Sequence, residues 1–220
     1  MQIEDLYKKY CGCRFRVTTD TRRIRGGEMF FALKGENFDG NDFVETALNN
    51  GAYWAVTDRE SIPEGRGIIK VKDSLKALQD LAAYHRSQMG GGRLPVIGLT
   101  GTNGKTTTKN LIREVLSCRY SVTATEGNLN NDIGVPLSLL RITPRTQVAI
   151  IEMGANHPDD IARLVKICKP DYGLITNIGK GHLLGFGSYN GVKQAKGELY
   201  KWLGEHRYSL IFLNEDNRKT

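Results

Sequence analysis

The chain has 220 residues, 40% of them hydrophobic and 25% charged, with a formal net charge of +7. That length supports one large domain or two small ones with ample core, and the composition is that of an ordinary globular protein. No segment reaches the roughly 20 apolar residues of a membrane span, and the opening Met1-Gln2-Ile3-Glu4-Asp5-Leu6-Tyr7-Lys8-Lys9-Tyr10 lacks the apolar run of a secretory leader. Lysines and arginines are scattered, with no aromatic-interleaved basic run, which disfavours nucleic acid and suits a small anionic substrate. The four cysteines (Cys11, Cys13, Cys118, Cys168) have no C-x-x-C spacing and read as free thiols of a reducing, cytoplasmic compartment. Cys11 and Cys13, two apart, are expected on one face of a strand.

From Phe15 to Val71 short strands and turns dominate. Phe15-Arg16-Val17-Thr18 alternates, and Met29 to Leu33, Ala52 to Val56 and Gly67 to Val71 are apolar runs. Between them Asp42 to Asn49 reads as a helix with Phe43, Ala47 and Leu48 inward, ended by Asn50-Gly51. Asp73-Ser74 opens an amphipathic helix carrying Leu75, Leu78, Ala82 and His85 on one face. Gly90-Gly91-Gly92 is the best linker, so a boundary is expected there, with domains at 1–90 and 93–220.

Beyond the linker comes Val96-Ile97-Gly98-Leu99-Thr100-Gly101-Thr102-Asn103-Gly104-Lys105-Thr106-Thr107-Thr108. A buried strand breaks into a glycine loop, and a helix follows with Leu111, Ile112, Val115 and Leu116 as one apolar stripe. Strand, glycine loop and helix N-terminus together form a phosphate cradle. Lys105 is suited to the outer phosphates and the Thr106 hydroxyl to Mg²⁺, although Leu99 stands where the strict G-x-x-x-x-G-K-[ST] pattern has glycine. Strands then alternate with helices: Ser121 to Thr125, Gln147 to Met153, Tyr172 to Asn177 and Tyr208 to Leu213, with Ile161, Leu164, Val165 and Cys168 as a helical stripe. This α/β alternation predicts a parallel sheet covered on both faces, with ligands at the carboxyl ends of its strands. Glu152 ends an otherwise apolar strand, where a carboxylate is costly unless paired or metal-bound. His182 by position alone reads as an ordinary surface or structural histidine.

Six motifs in order resemble the Mur ligase family: the TGTNGKTTT loop, Gly127 to Leu137, Glu152-Met153-Gly154-Ala155-Asn156-His157-Pro158, Thr176 to Ser188 with His182, Ala195 to Tyr200, and upstream Asp20-Thr21-Arg22 with Gly35 to Gly40. The resemblance covers nearly the whole chain. It implies a small mixed α/β UDP-substrate domain followed by a truncated parallel-sheet P-loop ATPase domain. It implies ATP-driven amide formation through an acyl phosphate, with UDP-N-acetylmuramoyl-tripeptide and D-alanyl-D-alanine as partners and a monomeric state. Gly101, Thr102, Asn103, Gly104, Lys105, Thr106 and Thr107 would hold the ATP phosphates. Lys105, Glu152, His182 and Lys196 would form the catalytic set, with Thr106, Glu152, His182 and Lys196 at two Mg²⁺ ions and Lys196 carried as a carbamate in many members. Asn128, Asn130 and Asn131 would face the muramoyl peptide, and Asp20, Arg22, Phe38, Asp39 and Gly40 the uridine nucleotide.

Two positions depart from the family pattern. Asp159-Asp160 stands where Gly-Glu is usual, and Asn41 where a histidine often follows Asp-Gly. The chain ends at Leu213 to Thr220, where the family's central domain continues into a third domain, so the expectation is of a fragment that does not turn over by itself. Two other readings remain: a sister ligase that adds a diamino acid, and a UDP-sugar or nucleotide binding module without catalysis. A GTPase-like switch lacks support, because no Asn-Lys-x-Asp segment occurs.

Overall fold

The computed structural model describes residues 1–179, 181 and 183–215. His182, expected at the metal site, lies outside the described residues. The chain divides into two compact units, Met1–His85 and Arg86–Thr220.

The first unit holds α1 (Ile3–Gly12), β1 (Val17–Thr18), β2 (Met29–Phe31), α2 (Val44–Asn49), β3 (Trp54–Thr57), β4 (Ile68–Lys70) and most of α3 (Ser74–Gln88). Its sheet runs β1-β2-β3-β4, every pair parallel. Met29, Phe30 and Phe31 are all buried, so both faces of this strand are covered and the run needs no alternation. Phe30, Ala32, Val44, Ala47, Ala52 and Ala55 form one core cluster.

Two expectations are corrected here. Cys11 lies in α1 and Cys13 caps it, so they share no strand face; Glu4 and Asp5 in the first turn and Lys9 in the last suit the helix dipole. Leu6 and Tyr10, one turn apart, carry its buried stripe. Phe43 is 45% exposed rather than inward. Asp39 caps a 3-10 turn over Gly40–Phe43, so the α2 stripe starts only at Val44 and Ala47. His85, on the inner face of α3, is fully buried among Tyr7, Tyr10 and Phe15, with ring centroids 5.3 to 5.8 Å away.

The second unit holds β5 (Val96–Thr100), α4 (Lys105–Ser117), β6 (Val122–Ala124), α5 (Gly134–Leu139), β7 (Val148–Glu152), α6 (Asp160–Cys168), β8 (Tyr172–Ile175), α7 (Leu183–Phe186), α8 (Tyr189–Glu205) and β9 (Leu210–Phe212). The sheet order is β6-β7-β5-β8-β9, again all parallel. The chain leaves β5 toward β6 on one side and returns past it to β8 on the other. Because every pair is parallel, the loops after β5, β7 and β8 share one end of the sheet, and the reversal at β5 makes there the kind of crevice in which α/β proteins bind ligands. Arg86 donates to Lys169 O at 3.0 Å and to Asp171 Oδ2 at 2.9 Å, and that same oxygen accepts from Val96 N at 2.9 Å. The roots of β5 and β8 are thereby tied together.

Helix α4 does not bury the stripe that its spacing suggests. Leu111 and Val115 are 63% and 71% exposed. With Ile97, Leu174, Phe212 and Leu213 they line an apolar groove of about 680 Å³. The one α4 residue that is buried is Lys109.

Candidate active site

The phosphate loop begins where β5 ends. Gly101 has φ +150°, and a Cβ there would meet Thr176 Oγ1 at 1.9 Å, so only glycine lets the chain pass β8. Gly104 (φ +78°) takes the left-handed conformation that starts α4.

The loop is gripped from the end of β8. Thr102 N donates to Asn177 O at 3.0 Å, and Gly179 N donates to Thr102 Oγ1 at 2.9 Å. The Asn177 amide takes both polar groups of one residue, accepting from Asn103 N at 3.1 Å and donating to Asn103 O at 2.9 Å. Thr176 Oγ1 donates to the same carbonyl at 2.6 Å. Asn177 is not among the loop residues expected from the sequence. Its side chain acts as a peptide group would, and only its placement opposite Asn103 reveals that.

Two ammonium groups converge on the loop. Lys105 Nζ donates to Gly101 O at 2.8 Å and Thr102 O at 3.2 Å, and Lys196 Nζ donates to Gly101 O at 3.1 Å. Burial pulls the Lys105 ammonium below its ordinary value, against the attraction of Glu152. Lys196, only 2% exposed on α8, is pushed down to about 8, first by burial and then by the charge of Lys105.

Glu152, at the end of β7, is 1% exposed and fully engaged. Thr106 Oγ1 donates to its two oxygens at 3.1 and 3.3 Å, Asn130 Nδ2 donates to Oε1 at 3.0 Å, and Lys109 Nζ lies 3.8 Å from Oε2. The Glu152 backbone N–H donates to Thr125 Oγ1 at 3.0 Å. The strand-end carboxylate is therefore paired, as burial requires. Of the asparagines expected to face substrate, Asn130 is turned to Glu152. Asn131 Oδ1 accepts from Gly134 N at 2.9 Å at the start of α5, and Asn128 is exposed.

A second candidate site lies within the first unit. Thr19, Asp20, Thr21, Arg22, Phe30, Phe38, Gly40 and Phe43 line a cavity of about 530 Å³. Phe38, 60% exposed, offers a bare ring face. Arg22 forks onto Asp20 at 2.9 and 2.8 Å, and this contact holds the Asp20 carboxyl below the usual range. Asp39 is turned elsewhere: it accepts from Asn41 N at 2.9 Å and pairs with Arg59 at 2.9 Å. It shapes the loop that carries Phe38.

Comparisons with known proteins agree with this geometry. The profile of the Mur ligase middle domain matches residues 99–220, and that of the Mur ligase family catalytic domain matches residues 16–86. The chain belongs to the Mur ligase family. UDP-N-acetylmuramoyl-tripeptide–D-alanyl-D-alanine ligases are among the proteins it is similar to. The one from Bacillus subtilis is 42% identical over 91% of this chain and 43% of its own length. The one from Escherichia coli is 43% identical over the same shares, 91% and 43%. A crystal structure of MurF from Acinetobacter baumannii has a TM-score of 0.85 at 39% identity, covering 92% of this chain and 44% of that one. A MurF ligase structure from Thermotoga maritima, solved with ADP, has a TM-score of 0.80 at 35% identity, covering 91% of this chain and 46% of that one. The chain thus spans less than half the length of these relatives.

Both departures from the Mur ligase pattern have a local account. Asp159 has φ +65°, a left-handed conformation that favours glycine and that Asp tolerates. Asp160 accepts from Asn156 N at 2.8 Å and His157 N at 2.9 Å, and so fixes the turn into α6. Asn41, 2% exposed, accepts from Thr57 Oγ1 at 2.6 Å and donates to Asp39 and Asp58 at 2.7 and 3.0 Å.

Proposed function

We propose that this Mur ligase chain carries the uridine and ATP-phosphate sites of an enzyme that joins D-alanyl-D-alanine to UDP-N-acetylmuramoyl-tripeptide, a step of peptidoglycan synthesis that proceeds through an acyl phosphate. The observation that carries this reading is the assembly around Gly101, where Lys105, Lys196, Thr106 and Glu152 meet a pinned phosphate loop. The similarity to ligases of that name across both units supports it. We place the protein in the cytoplasm as a monomer; among the described residues no helix is long and apolar enough to cross a membrane.

The donor set suits Mg²⁺. Thr106 Oγ1 and Glu152 Oε2, 3.1 Å apart, are hard oxygens beside the loop, and Mg²⁺ is commonly held by one or two protein oxygens plus substrate phosphates. Bound there, the ion supplies neutralisation of phosphate charge. The chain's own residues then have a positioning task. Lys105 meets the outer phosphates, the α4 N-terminus offers its N–H groups, and Asn177 keeps the loop in register.

Lys196 as an ammonium repels a cation. As a carbamate it would present anionic oxygens to a second Mg²⁺. Its lowered ammonium value supports this, because the neutral amine is the form that adds to CO₂. Carbon-13 NMR of the protein in labelled bicarbonate is expected to show a carbamate signal that Lys196→Ala removes.

The uridine site takes its support from Phe38, whose exposed ring suits a base, and from Arg22, whose charge suits a diphosphate. Titration calorimetry with UDP-N-acetylmuramoyl-tripeptide tests it. Saturable binding is expected, weakened about tenfold by Arg22→Ala, the lower end for a charge-assisted contact because Arg22 already has a partner in Asp20. Unchanged affinity in the variant would remove Arg22 from the site.

A further inference from the structure

We infer that Lys109 is a positioning residue that holds the Glu152 carboxylate in the orientation required for a divalent ion beside the phosphate loop; this rests on the proposed Mg²⁺-nucleotide reading. The first observation is the inverted pattern of α4. This helix leaves Leu111 and Val115 more than half exposed while it buries a lysine, at 2% exposure. Long aliphatic side chains with charged heads normally run the other way, head to water. A buried ammonium persists only where an anion meets it.

The second observation is what it meets. Lys109 stands one turn beyond Lys105 and three residues after Thr106, so it shares the helix face that carries the Thr106 hydroxyl. Its Nζ lies 3.8 Å from Glu152 Oε2, and the two side chains are 3% and 2% exposed. Asn130 holds Oε1, Thr106 spans both oxygens, and Lys109 flanks Oε2. Each oxygen thus has its own neighbour, which restrains rotation of the carboxylate about its last bond. An ion site of this kind tolerates about 0.5 Å of misplacement, and loss of a group that orients a ligand costs about 10- to 100-fold in metal affinity. The opposing effect is repulsion between the ammonium and an incoming cation, and the sign of the change in Lys109→Met shows which of the two is larger.

The quantity to measure is the magnesium gain, the ratio of ATP dissociation constants in EDTA and in Mg²⁺, by titration calorimetry on the 220-residue protein. Lys109→Met is expected to lower that gain about tenfold or more, and Lys109→Arg to keep it within about threefold because the charge remains. Glu152→Gln removes the gain, and adding Lys109→Met to it is expected to change nothing further, because Lys109 acts through that carboxylate. A purely structural lysine would weaken ATP binding equally with and without Mg²⁺ and leave the ratio unmoved. An unchanged or increased gain in Lys109→Met overturns the assignment, as does a gain that survives Glu152→Gln and that Lys109→Met then lowers by the same factor as in wild type. If Lys109→Met does not fold, the double variant decides. Its folding shows that the lysine is needed only while the carboxylate is charged, and its failure to fold overturns the proposal. A wild-type protein that binds ATP with no magnesium gain would instead refute the metal reading of Glu152 and Thr106. One that binds no ATP would refute the phosphate-loop reading, and Lys109 would lose its role with either.

Discussion

Replacing Lys105 with alanine is expected to weaken ATP binding by about 30- to 100-fold, the value of a charge-assisted contact to phosphate of about 2 to 2.7 kcal/mol. The ammonium is already held over the loop by Gly101 O and Thr102 O, so little side-chain freedom is left to lose when phosphate arrives. Removing it does not open the loop. Lys196 still donates to Gly101 O, and Asn177 still clamps Asn103. The loss is therefore one of binding rather than of fold. Affinity for UDP-N-acetylmuramoyl-tripeptide is expected to stay within about twofold, because the residues assigned to uridine all lie in the unit Met1–His85, whereas Lys105 and the loop carbonyls it meets lie in the unit Arg86–Thr220. Calorimetry with each ligand on the same variant checks this. Equal losses for both ligands would show that the two sites are not separate.

Gly134→Ala is expected to lose about 3 kcal/mol of stability, the upper part of the range for overpacking, or a fall in melting temperature of about 6 to 12 °C for a protein of this size. The reason is space and not conformation. A Cβ at Gly134 would sit 2.3 Å from Leu129 C, 2.4 Å from its Cα and 2.8 Å from its O, and none of these is the end of a flexible side chain. Relief requires moving the Leu129–Asn130 backbone, and Asn130 Nδ2 holds Glu152. The same substitution should therefore also reduce the magnesium gain in ATP binding. Gly204→Ala on α8 is the control. Nothing lies within 4 Å of its Cβ position, and alanine there is expected to be neutral or stabilising by up to about 1 kcal/mol. Thermal unfolding of both variants gives the comparison, and a Gly134→Ala protein as stable as wild type would contradict the close packing of α5 on that loop.

The features legible in the amino-acid order are those whose physics is local. Val96 to Thr108 announces strand, glycine loop and helix because the turn needs residues without Cβ atoms and the phosphates need N–H groups and a cation, all within a dozen positions. Glu152 is conspicuous for the same reason, as one charge at the end of an apolar strand. What the order of residues does not contain is the partner of each group across the fold. Nothing near Lys109 in the chain marks it for burial until β7 brings Glu152 against it, and Asn177 is a polar strand end until it meets Asn103. Leu111 and Val115 have helical spacing, yet periodicity fixes only which residues share a face, not what that face meets. Cys11 and Cys13, two apart, suit a strand, and the helix that contains Cys11 is set by Leu6 and Tyr10 finding a core one turn apart. Covalent spacing dictates local conformation and the chemistry a loop can offer. Burial, pairing and lowered ammonium values arise only when residues distant in sequence exclude water together.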